Sequence, residues 1–172
     1  MNLDEKTLST EYVYKGRILN LRQDKVELPN GKQSVREVIE HSGGSCIYCE
    51  LDGKVLFVKQ FRYPYKKQIL ELPAGKLNPG ENPENTAIRE LEEEGGVRAG
   101  KVQLIHKIYP STGYTDEIIY IYRAEDVVKT HMHLDEGEFL DNVWIEKKYL
   151  KQMVAKGEIN DAKTLVALLS EL

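Results

Sequence analysis

The sequence predicts an α+β protein, in which a mostly antiparallel or mixed sheet is combined with a few helices and a small N-terminal antiparallel β subdomain. Three observations support this fold class. Apolar and polar residues alternate with a period of two over roughly the first forty residues and in several later stretches. The turn signals PNGK (29–32) and Asp52-Gly53 each join two such stretches, as expected for hairpins. Helical patterns are confined to a segment after Asn82 and to the C-terminal end.

The N-terminal strands are predicted in EYVYKGRILNLRQDKVEL, residues 11–28, and in QSVREVIEH, residues 33–41. The segment HSGG interrupts the alternation and separates a small β subdomain, residues 1–43, from a main domain, residues 44–172. Strands of the main domain are predicted, in chain order, at residues 45–51, 54–61, 68–75, 102–109, 117–124 and 141–146.

Three helices are predicted in the main domain. The first begins at Asn82, a favourable N-cap residue, with Pro83 at the first helical position, and it ends at the glycine pair 95–96. The other two lie in EKKYLKQMVAKG and NDAKTLVALLSEL near the C-terminal end, the last of them capped by either Asn160 or Asp161.

The composition is that of a globular protein with neither a nucleic-acid partner nor a membrane partner. The chain of 172 residues carries a formal net charge of −4, and its basic residues are scattered, whereas nucleic-acid binders concentrate them in a patch. No apolar run approaches the roughly 20 residues that span a bilayer. The opening MNLDEKTLST lacks the apolar centre of a secretory signal, so the predicted location is cytoplasmic.

Cys46 and Cys49 form a C-x-x-C pattern, which is typical of some zinc and redox sites. They lie in SCIYCE, a short apolar segment that is predicted to be a buried strand. Residues three apart on a strand point to opposite faces, so the pair is poorly placed to bind one metal ion. No second C-x-x-C follows, whereas a structural zinc site needs four ligands. The two thiols are therefore predicted to be part of the core.

The first helix carries four glutamates close together, although like charges three or four residues apart on a helix repel each other. At about 100° per residue, Glu90, Glu93 and Glu94 share one face, whereas Glu92 points away from them. The adjoining face is an apolar stripe of Ala87, Ile88 and Leu91. Two interpretations are open at this point: a solvated acidic face, or a site for a divalent cation, whose charge converts the repulsion into attraction.

The segment from Gly75 to Val97 favours the cation site. Gly75 is followed by five residues, Glu81, seven residues and then RELEEEGGV. This segment resembles, at every specified position, the Nudix signature G-x5-E-x7-R-E-U-x-E-E-x-G-U, where U is a bulky aliphatic residue. The resemblance implies a Nudix α/β/α sandwich with a mixed sheet. It also implies hydrolysis of a nucleoside diphosphate linked to another moiety, with Mg²⁺ or Mn²⁺ as cofactor.

Individual roles follow from the matching signature positions. The resemblance implies that Glu90, Glu93 and Glu94 are metal ligands. It further implies that Arg89 orients Glu93 through a salt bridge, and that Glu81 supports the loop or an outer metal. These roles suit the chemistry, because attack on a diphosphate builds negative charge that divalent cations neutralise.

The stretch VKQFRYPYKKQILELPAGKL, residues 58–77, resembles the ADP-ribose pyrophosphatase branch of the Nudix family. In that branch the backbone carbonyl of the alanine in PAGK also binds metal. That residue is Ala74 here, and Gly75 is expected to provide a tight turn that exposes the carbonyl. Arg62 is the counterpart of a phosphate or ribose contact, for which the planar guanidinium is suited.

The N-terminal segment VREVIEH resembles the part of this branch that reaches the ligand in the partner subunit's site. The resemblance implies that Arg36 makes that contact and that the N-terminal strands build a homodimer. It also implies that aromatic side chains from these strands sandwich the base, and Tyr12 and Tyr14 are both candidates.

Two regions after the helix complete the predicted site. HLDEGEFLDNVWI resembles the acidic loop that supplies the catalytic base, with Glu136 as the base and Glu138 as a further metal contact, or with these two roles exchanged. Many members of the branch carry a proline in an SPG-like turn that shapes the distal sugar pocket. Thr112 occupies that place in YPSTGYTDE, so the preferred sugar is left open.

The predicted activity is Mg²⁺-dependent hydrolysis of the pyrophosphate bond of ADP-ribose and related nucleoside diphosphate sugars. The products are a nucleoside monophosphate and a sugar phosphate. One alternative is a Nudix hydrolase of nucleoside triphosphates or dinucleoside polyphosphates, which usually lacks the N-terminal strands. Another is a non-catalytic module that senses ADP-ribose, but such modules tend to lose signature carboxylates, which are all present here.

Overall fold

The computed structural model describes residues 2–172 and has the α+β architecture that the sequence predicts. Its helices are α1 (Pro83–Glu93), α2 (Lys147–Ala155) and α3 (Ala162–Glu171), and a 3₁₀ turn spans Tyr63–Tyr65. Its strands are β1 (Lys6–Lys15), β2 (Leu19–Glu27), β3 (Gln33–His41), β4 (Gly44–Tyr48), β5 (Glu50–Leu51), β6 (Lys54–Arg62), β7 (Lys67–Glu71), β8 (Ala74–Lys76), β9 (Val97–Ile108), β10 (Ile119–Lys129) and β11 (Leu140–Glu146).

One compact unit comprises the chain up to Gly43 together with Tyr109–Ile118. It contains an antiparallel sheet in the order β1-β2-β3, and the predicted turn between β2 and β3 has Gly31 at a φ of 77°. The separate segment attaches to the end of β3, because the N–H of Ile39 donates to the carbonyl of Tyr114 at 2.7 Å. The sequence predicts a boundary at residue 43, which places Tyr109–Ile118 in the main domain instead.

The stretch 11–28, predicted as one alternating segment, is two strands that reverse at Gly16. The N–H of Gly16 donates to the carbonyl oxygen of Leu19 at 3.0 Å, and a Cβ added at Gly16 would lie 2.9 Å from the same oxygen. Glycine is required because the two backbone segments approach so closely. Alternation continues on both sides of the turn, which is why the pattern alone does not show the reversal.

The second compact unit comprises Gly44–Ile108 and Ile119–Leu172. One of its sheets has the order β8-β4-β10-β9, and the other has the order β11-β6-β5 with β7 also paired to β6. Strand β10 runs parallel to β4, whereas the remaining pairs are antiparallel, so the predicted mixed sheet is confirmed. The hairpin at Asp52-Gly53 is also confirmed, with φ of 52° and 72° at the two residues.

The core lies on both faces of β4, and the two cysteines show this division. Cys46 packs in one cluster with Phe57 and Leu72, whereas Cys49 packs in another with Leu91. Both cysteines are fully buried and free, and burial raises the pKa of each thiol to about 12. The sequence prediction of two core thiols on opposite faces is therefore confirmed.

Helix α1 begins and ends where the sequence predicts. The side chain of Asn82 accepts a hydrogen bond from the N–H of Glu84 at 3.0 Å, which caps the helix, and Pro83 is the first helical residue. Gly96 follows the helix with a φ of 60°, a left-handed conformation that favours glycine. Ala87 and Leu91 are fully buried against the sheet, so the neighbouring glutamate face is held in one orientation.

The two C-terminal helices cover the cluster that contains Cys46, through side chains that include Leu150 and Leu168. Of the two proposed caps of α3, Asp161 is the one observed, since its carboxylate accepts from the N–H of Thr164 at 3.1 Å. None of the helices formed by residues 2–172 is long and apolar enough to cross a lipid bilayer.

Candidate active site

Helix α1 and the residue that follows it present three glutamates on one side. Glu90 and Glu94 are buried, with 9% and 3% of their surface exposed, and Glu93 is half-buried. Glu92 faces elsewhere and accepts a hydrogen bond from Arg98 at 2.7 Å. The helical spacing therefore brings together the three carboxylates that the sequence singled out and leaves out the fourth.

Arg89 lies at the centre of these carboxylates. Its Nη1 is 2.7 Å from an oxygen of Glu90 and 2.7 Å from an oxygen of Glu93, and its Nε is 3.2 Å from Glu81. Hydrogen bonds from Arg89, together with the N–H of Asn78, lower the pKa of Glu81 to about 2. The guanidinium thus ties the helix to the loop before it, and the salt bridge to Glu93 is present as predicted.

Glu94 connects the helix to strand β8. One of its carboxylate oxygens accepts the N–H of Ala74 at 2.9 Å. Burial raises the pKa of Glu94 to about 8, and the nearby charges of Glu90 and Glu138 act in the same direction. Burial also raises the pKa of Glu90 to about 7, although Arg89 opposes the shift. Two buried carboxylates that repel each other mark a place where positive charge is favoured.

Gly75 has a different role from the tight turn that the sequence suggested. It lies within β8, and its φ is not among the positive values found in the chain, so no special turn is formed there. A Cβ at this position would lie 1.7 Å from Oε1 of Glu90 and 2.0 Å from its Cδ. Glycine is needed because the Glu90 carboxylate packs directly against the backbone.

The acidic loop before β11 places its two glutamates differently. The N–H of Glu138 donates to the carbonyl of Asp135 at 3.0 Å, which closes a turn around Gly137. Glu138 is half-buried and close enough to raise the pKa of Glu90 and of Glu94 through its charge. Glu136 is exposed at the tip of the turn.

These elements enclose a polar cleft of about 260 Å³. The cleft is lined by Ala74, Gly75, Lys76, Asn78, Arg89, Glu90, Glu93, Asp135 and Glu138. Carboxylates from a helix and from a separate loop therefore face one cavity, together with two basic side chains. Such an arrangement suits a cation and a polyanionic ligand bound side by side.

Residues 40–168 match the NUDIX domain family, and residues 5–39 match the N-terminal domain of nucleoside diphosphate sugar hydrolases. The chain belongs to the Nudix family. The second match covers β1, β2 and most of β3, and it ends where the match to the NUDIX domain begins.

Individual relatives agree with this membership. An ADP-ribose pyrophosphatase of Bacillus subtilis (strain 168) is 42% identical, over 97% of this chain and 92% of the relative. A methanol dehydrogenase activator of Bacillus methanolicus is 40% identical, over 96% of this chain and 91% of the relative. The crystal structure of an ADP compounds hydrolase has a TM-score of 0.86 at 23% identity, covers 98% of this chain and 93% of that chain, and shares the fold.

Nudix hydrolases generally need divalent cations, and the cleft contains the oxygen donors that such ions prefer. Within residues 2–172, however, no group of three or more His, Cys, Asp or Glu side chains is arranged so that it could hold a metal ion. Arg89 donates hydrogen bonds to the carboxylates of both Glu90 and Glu93, so a guanidinium lies between these two side chains. The donor chemistry and the bare backbone at Gly75 nevertheless fit a hard divalent cation.

Arg62, the predicted phosphate contact of this Nudix chain, is bound to an internal carboxylate. Its Nε and Nη2 donate to the two oxygens of Glu71 at 2.6 and 2.9 Å. About 40% of the Arg62 side chain is still exposed, so the guanidinium is held in place without being buried. Its role as a substrate contact stays a prediction.

The other predicted substrate residues lie in the unit that contains the N-terminal sheet. Arg36 donates to Glu5 at 2.9 Å and is half-buried, and Tyr12 donates its hydroxyl hydrogen to Glu40 at 3.2 Å. Tyr14 and Thr112 are exposed, the latter in a turn. Their contacts with substrate stay predictions, as do the individual metal and catalytic roles of the cleft residues.

Sequence reasoning missed several residues of the cleft and its surroundings. Asp135, Lys76 and Asn78 all line the cleft. It also missed Glu71 and its second partner, Lys163, which is distant in the sequence. The one sequence signal for this pair is Glu71 itself. It lies within the apolar segment ILELPAG, and a glutamate that is buried there needs a positively charged partner.

Proposed function

We propose that this Nudix protein hydrolyses the pyrophosphate bond of ADP-ribose and related nucleoside diphosphate sugars. The products would be a nucleoside monophosphate and a sugar phosphate. The observation that carries the proposal is the cleft in which Glu90, Glu93 and Glu138 converge beside the buried Glu94. The match of residues 5–39 to the N-terminal domain of nucleoside diphosphate sugar hydrolases supports this substrate class.

The proposed cofactor is Mg²⁺, with Mn²⁺ as a possible substitute, and its ligands would be the side chains of Glu90, Glu93 and Glu94 and the carbonyl of Ala74. When bound, the cation neutralises charge that develops on the diphosphate and lowers the pKa of the attacking water. Hard oxygen donors of this kind favour Mg²⁺ over softer metals.

The protein itself contributes positioning and proton transfer. Arg89 holds Glu93 and Glu90 in fixed orientations, and the N–H of Ala74 fixes Glu94. Glu138 is favoured over Glu136 as the base that takes the proton from water, because it lines the cleft whereas Glu136 is exposed. Arg62 and Lys76 would bind the phosphates, with Arg62 oriented through Glu71.

Two alternatives have less support. A hydrolase of nucleoside triphosphates or dinucleoside polyphosphates does not account for the match of the N-terminal strands to a nucleoside diphosphate sugar hydrolase domain. A non-catalytic module that senses ADP-ribose does not account for an intact set of signature carboxylates. A cytoplasmic location is also part of the proposal.

Incubation with a panel of nucleotides tests the function. We expect the protein with Mg²⁺ to convert ADP-ribose to AMP and ribose 5-phosphate, and other nucleoside diphosphate sugars to the corresponding pairs. Hydrolysis in ¹⁸O-water would identify the attacked phosphorus. Turnover of nucleoside triphosphates alone, or binding of ADP-ribose without turnover, would each contradict the proposal in favour of one alternative.

The choice of base is tested by replacing the two loop glutamates separately. We expect Glu138→Gln to lower kcat by roughly 10²- to 10⁴-fold, because glutamine cannot accept the proton from water. The matched variant Glu136→Gln should keep kcat within about threefold, because Glu136 is exposed outside the cleft. If Glu136→Gln is the inactive variant, the two roles are exchanged.

We further propose that the protein is a homodimer in which Arg36 contacts the ligand bound by the partner subunit. Arg36→Ala should then raise KM about tenfold, since a hydrogen bond to a charged group is lost, and leave kcat nearly unchanged. Arg98→Ala is the control, because Arg98 likewise forms a salt bridge with a glutamate at the surface, and its partner Glu92 faces away from the cleft. An unaltered KM, or a monomer in sedimentation equilibrium, would contradict this arrangement.

A further inference from the structure

A second cluster of charged side chains lies outside the carboxylate cleft. Glu71, at the end of β7, is only 3% exposed, and it accepts hydrogen bonds from Arg62 at 2.6 and 2.9 Å and from Nζ of Lys163 at 2.5 Å. Lys163, in the first turn of α3, also donates to Asp161 at 3.0 Å. Two basic and two acidic side chains from β6, β7 and α3 therefore form one network.

The network is buried, so its geometry is restricted. The Lys163 side chain is 12% exposed and the Glu71 side chain 4%. Burial opposes ionisation of Glu71, yet hydrogen bonds from Arg62 and the charge of Lys163 together lower its pKa. A buried carboxylate of this kind stays charged only while its partners stay in place.

The network connects α3 with the segment that leads into the cleft. Oγ1 of Thr164 accepts the N–H of Leu72 at 2.9 Å and donates to Asp161 at 2.7 Å. The carbonyl of Pro73 accepts the N–H of Ile47 at 3.0 Å, and the N–H of Ala74 is bound by Glu94. Residues 71 to 74 are thus held by contacts from β6, α3, β4 and Glu94, and the Glu71 carboxylate is the first of these attachment points.

Arg62 is the outermost member of this network. Two of its nitrogens are used by Glu71, which fixes the plane of the guanidinium, while about 40% of its side chain stays exposed. The Glu71 carboxylate also binds Lys163, so its negative charge offsets the positive charge of Arg62 only in part. Lys163 therefore has two effects on Arg62: it holds the orientation of the Glu71 carboxylate, and it offsets part of the negative charge there.

We propose that Lys163 is a positioning residue, which acts through Glu71 to hold the Arg62 guanidinium in the orientation that binds the substrate diphosphate. This inference rests on the proposed function. It assigns to α3, at the far end of the chain, a part in substrate binding that involves no contact with the substrate.

The remaining contacts indicate that the fold tolerates the loss of Lys163. Without it, Asp161 keeps the N–H and hydroxyl of Thr164 as donors, and Glu71 keeps both hydrogen bonds from Arg62. Neither carboxylate would be left buried without a partner. Lys163→Met, which preserves the length and apolar part of the side chain, is therefore suitable for kinetic measurements.

The test compares Lys163→Met with Lys163→Arg, and with Lys148→Met as a matched control on the exposed side of α2. We expect Lys163→Met to raise KM for ADP-ribose roughly five- to tenfold, because the Arg62 guanidinium is still present but no longer held in the orientation that binds the substrate. The value of kcat should stay within about threefold of that of the unaltered protein. Lys163→Arg should restore most of the affinity, and Lys148→Met should not change KM.

A double-mutant cycle separates this role from a general loss of structure. If Lys163 acts through Arg62, Lys163→Met should raise KM by less than about twofold in an Arg62→Ala background. An equal rise in both backgrounds, a fall in kcat with KM unchanged, or no effect of Lys163→Met would each overturn the inference.

A measurement without substrate distinguishes failure of this inference from failure of the proposed function. The ¹⁵N–H signal of Arg62 Nε, assigned by its loss in Arg62→Lys, should move in Lys163→Met and return towards its original position in Lys163→Arg. If the unaltered protein hydrolyses no nucleoside diphosphate sugar, the proposed function fails. An unchanged Arg62 signal in Lys163→Met overturns the positioning role whether or not hydrolysis is observed.

Discussion

Replacement of Glu94 by Gln is expected to lower kcat for ADP-ribose by roughly 10³-fold at saturating Mg²⁺. The carboxylate is 3% exposed and lies beside Glu90 and Glu138, so its charge contributes directly to the cation site that we propose. An amide of the same shape has no charge to offer a divalent cation. A loss of several kcal/mol of charge stabilisation in the transition state gives a change of this size. Steady-state kinetics with a Mg²⁺ titration measures it.

The fold should not be affected by this change. Glutamine retains an oxygen that can accept the N–H of Ala74, and burial of a neutral amide costs less than burial of a carboxylate. The midpoint of thermal unfolding should therefore be unchanged or higher. Glu92→Gln is the control on the same helix, since Glu92 pairs with Arg98 away from the cleft and should leave kcat intact. Near-normal turnover of Glu94→Gln would remove Glu94 from the site.

The second large effect is expected for Gly75→Ala. A Cβ at this position would overlap the Glu90 carboxylate, at 1.7 Å from Oε1, so that carboxylate has to move. A displacement of about 1 Å in a catalytic group lowers the rate by about 10²-fold, and we expect kcat to fall by that factor. Stability should change by less than about 1 kcal/mol, because the atoms that must move are at the end of a flexible side chain.

A double mutant shows whether the effect passes through Glu90. Glu90→Ala alone should be severely impaired, and adding Gly75→Ala to it should cause little further loss in kcat, because the overlapping carboxylate is absent. Full additivity of the two effects would mean that Gly75 acts by another route, such as a change in the backbone of β8. Chemical denaturation of each variant confirms that the comparison is made between folded proteins.

The fold class and much of the site were determined by local sequence patterns. The period of 3.6 residues along α1 is enough to place Glu90, Glu93 and Glu94 on one face and Glu92 on another, because a helix fixes these directions whatever surrounds it. Cap and turn residues such as Asn82 and Gly31 act over a few neighbouring residues and were predicted correctly. The opposite directions of Cys46 and Cys49 followed in the same way from strand geometry.

Contacts between residues far apart in the chain could not be predicted in this way. The sequence suggested a tight turn at Gly75, but the constraint there is the close approach of Glu90, a neighbour only in the folded protein. The sequence left the roles of Glu136 and Glu138 interchangeable, and only the structure shows that Glu138 lines the cleft whereas Glu136 is exposed. In both cases, the contact depends on how separate segments of the chain pack together, which local sequence patterns do not specify.

What the sequence by itself determined is the set of acidic side chains and the helix face that presents them, because those depend on residue type and local periodicity. Only the tertiary structure decided which charges meet. Arg89 joins Glu81, Glu90 and Glu93, and Lys163 reaches Glu71 from the far end of the chain. Electrostatic interactions act through space and strengthen with burial, so their partners depend on the packing of separate elements and not on distance along the sequence.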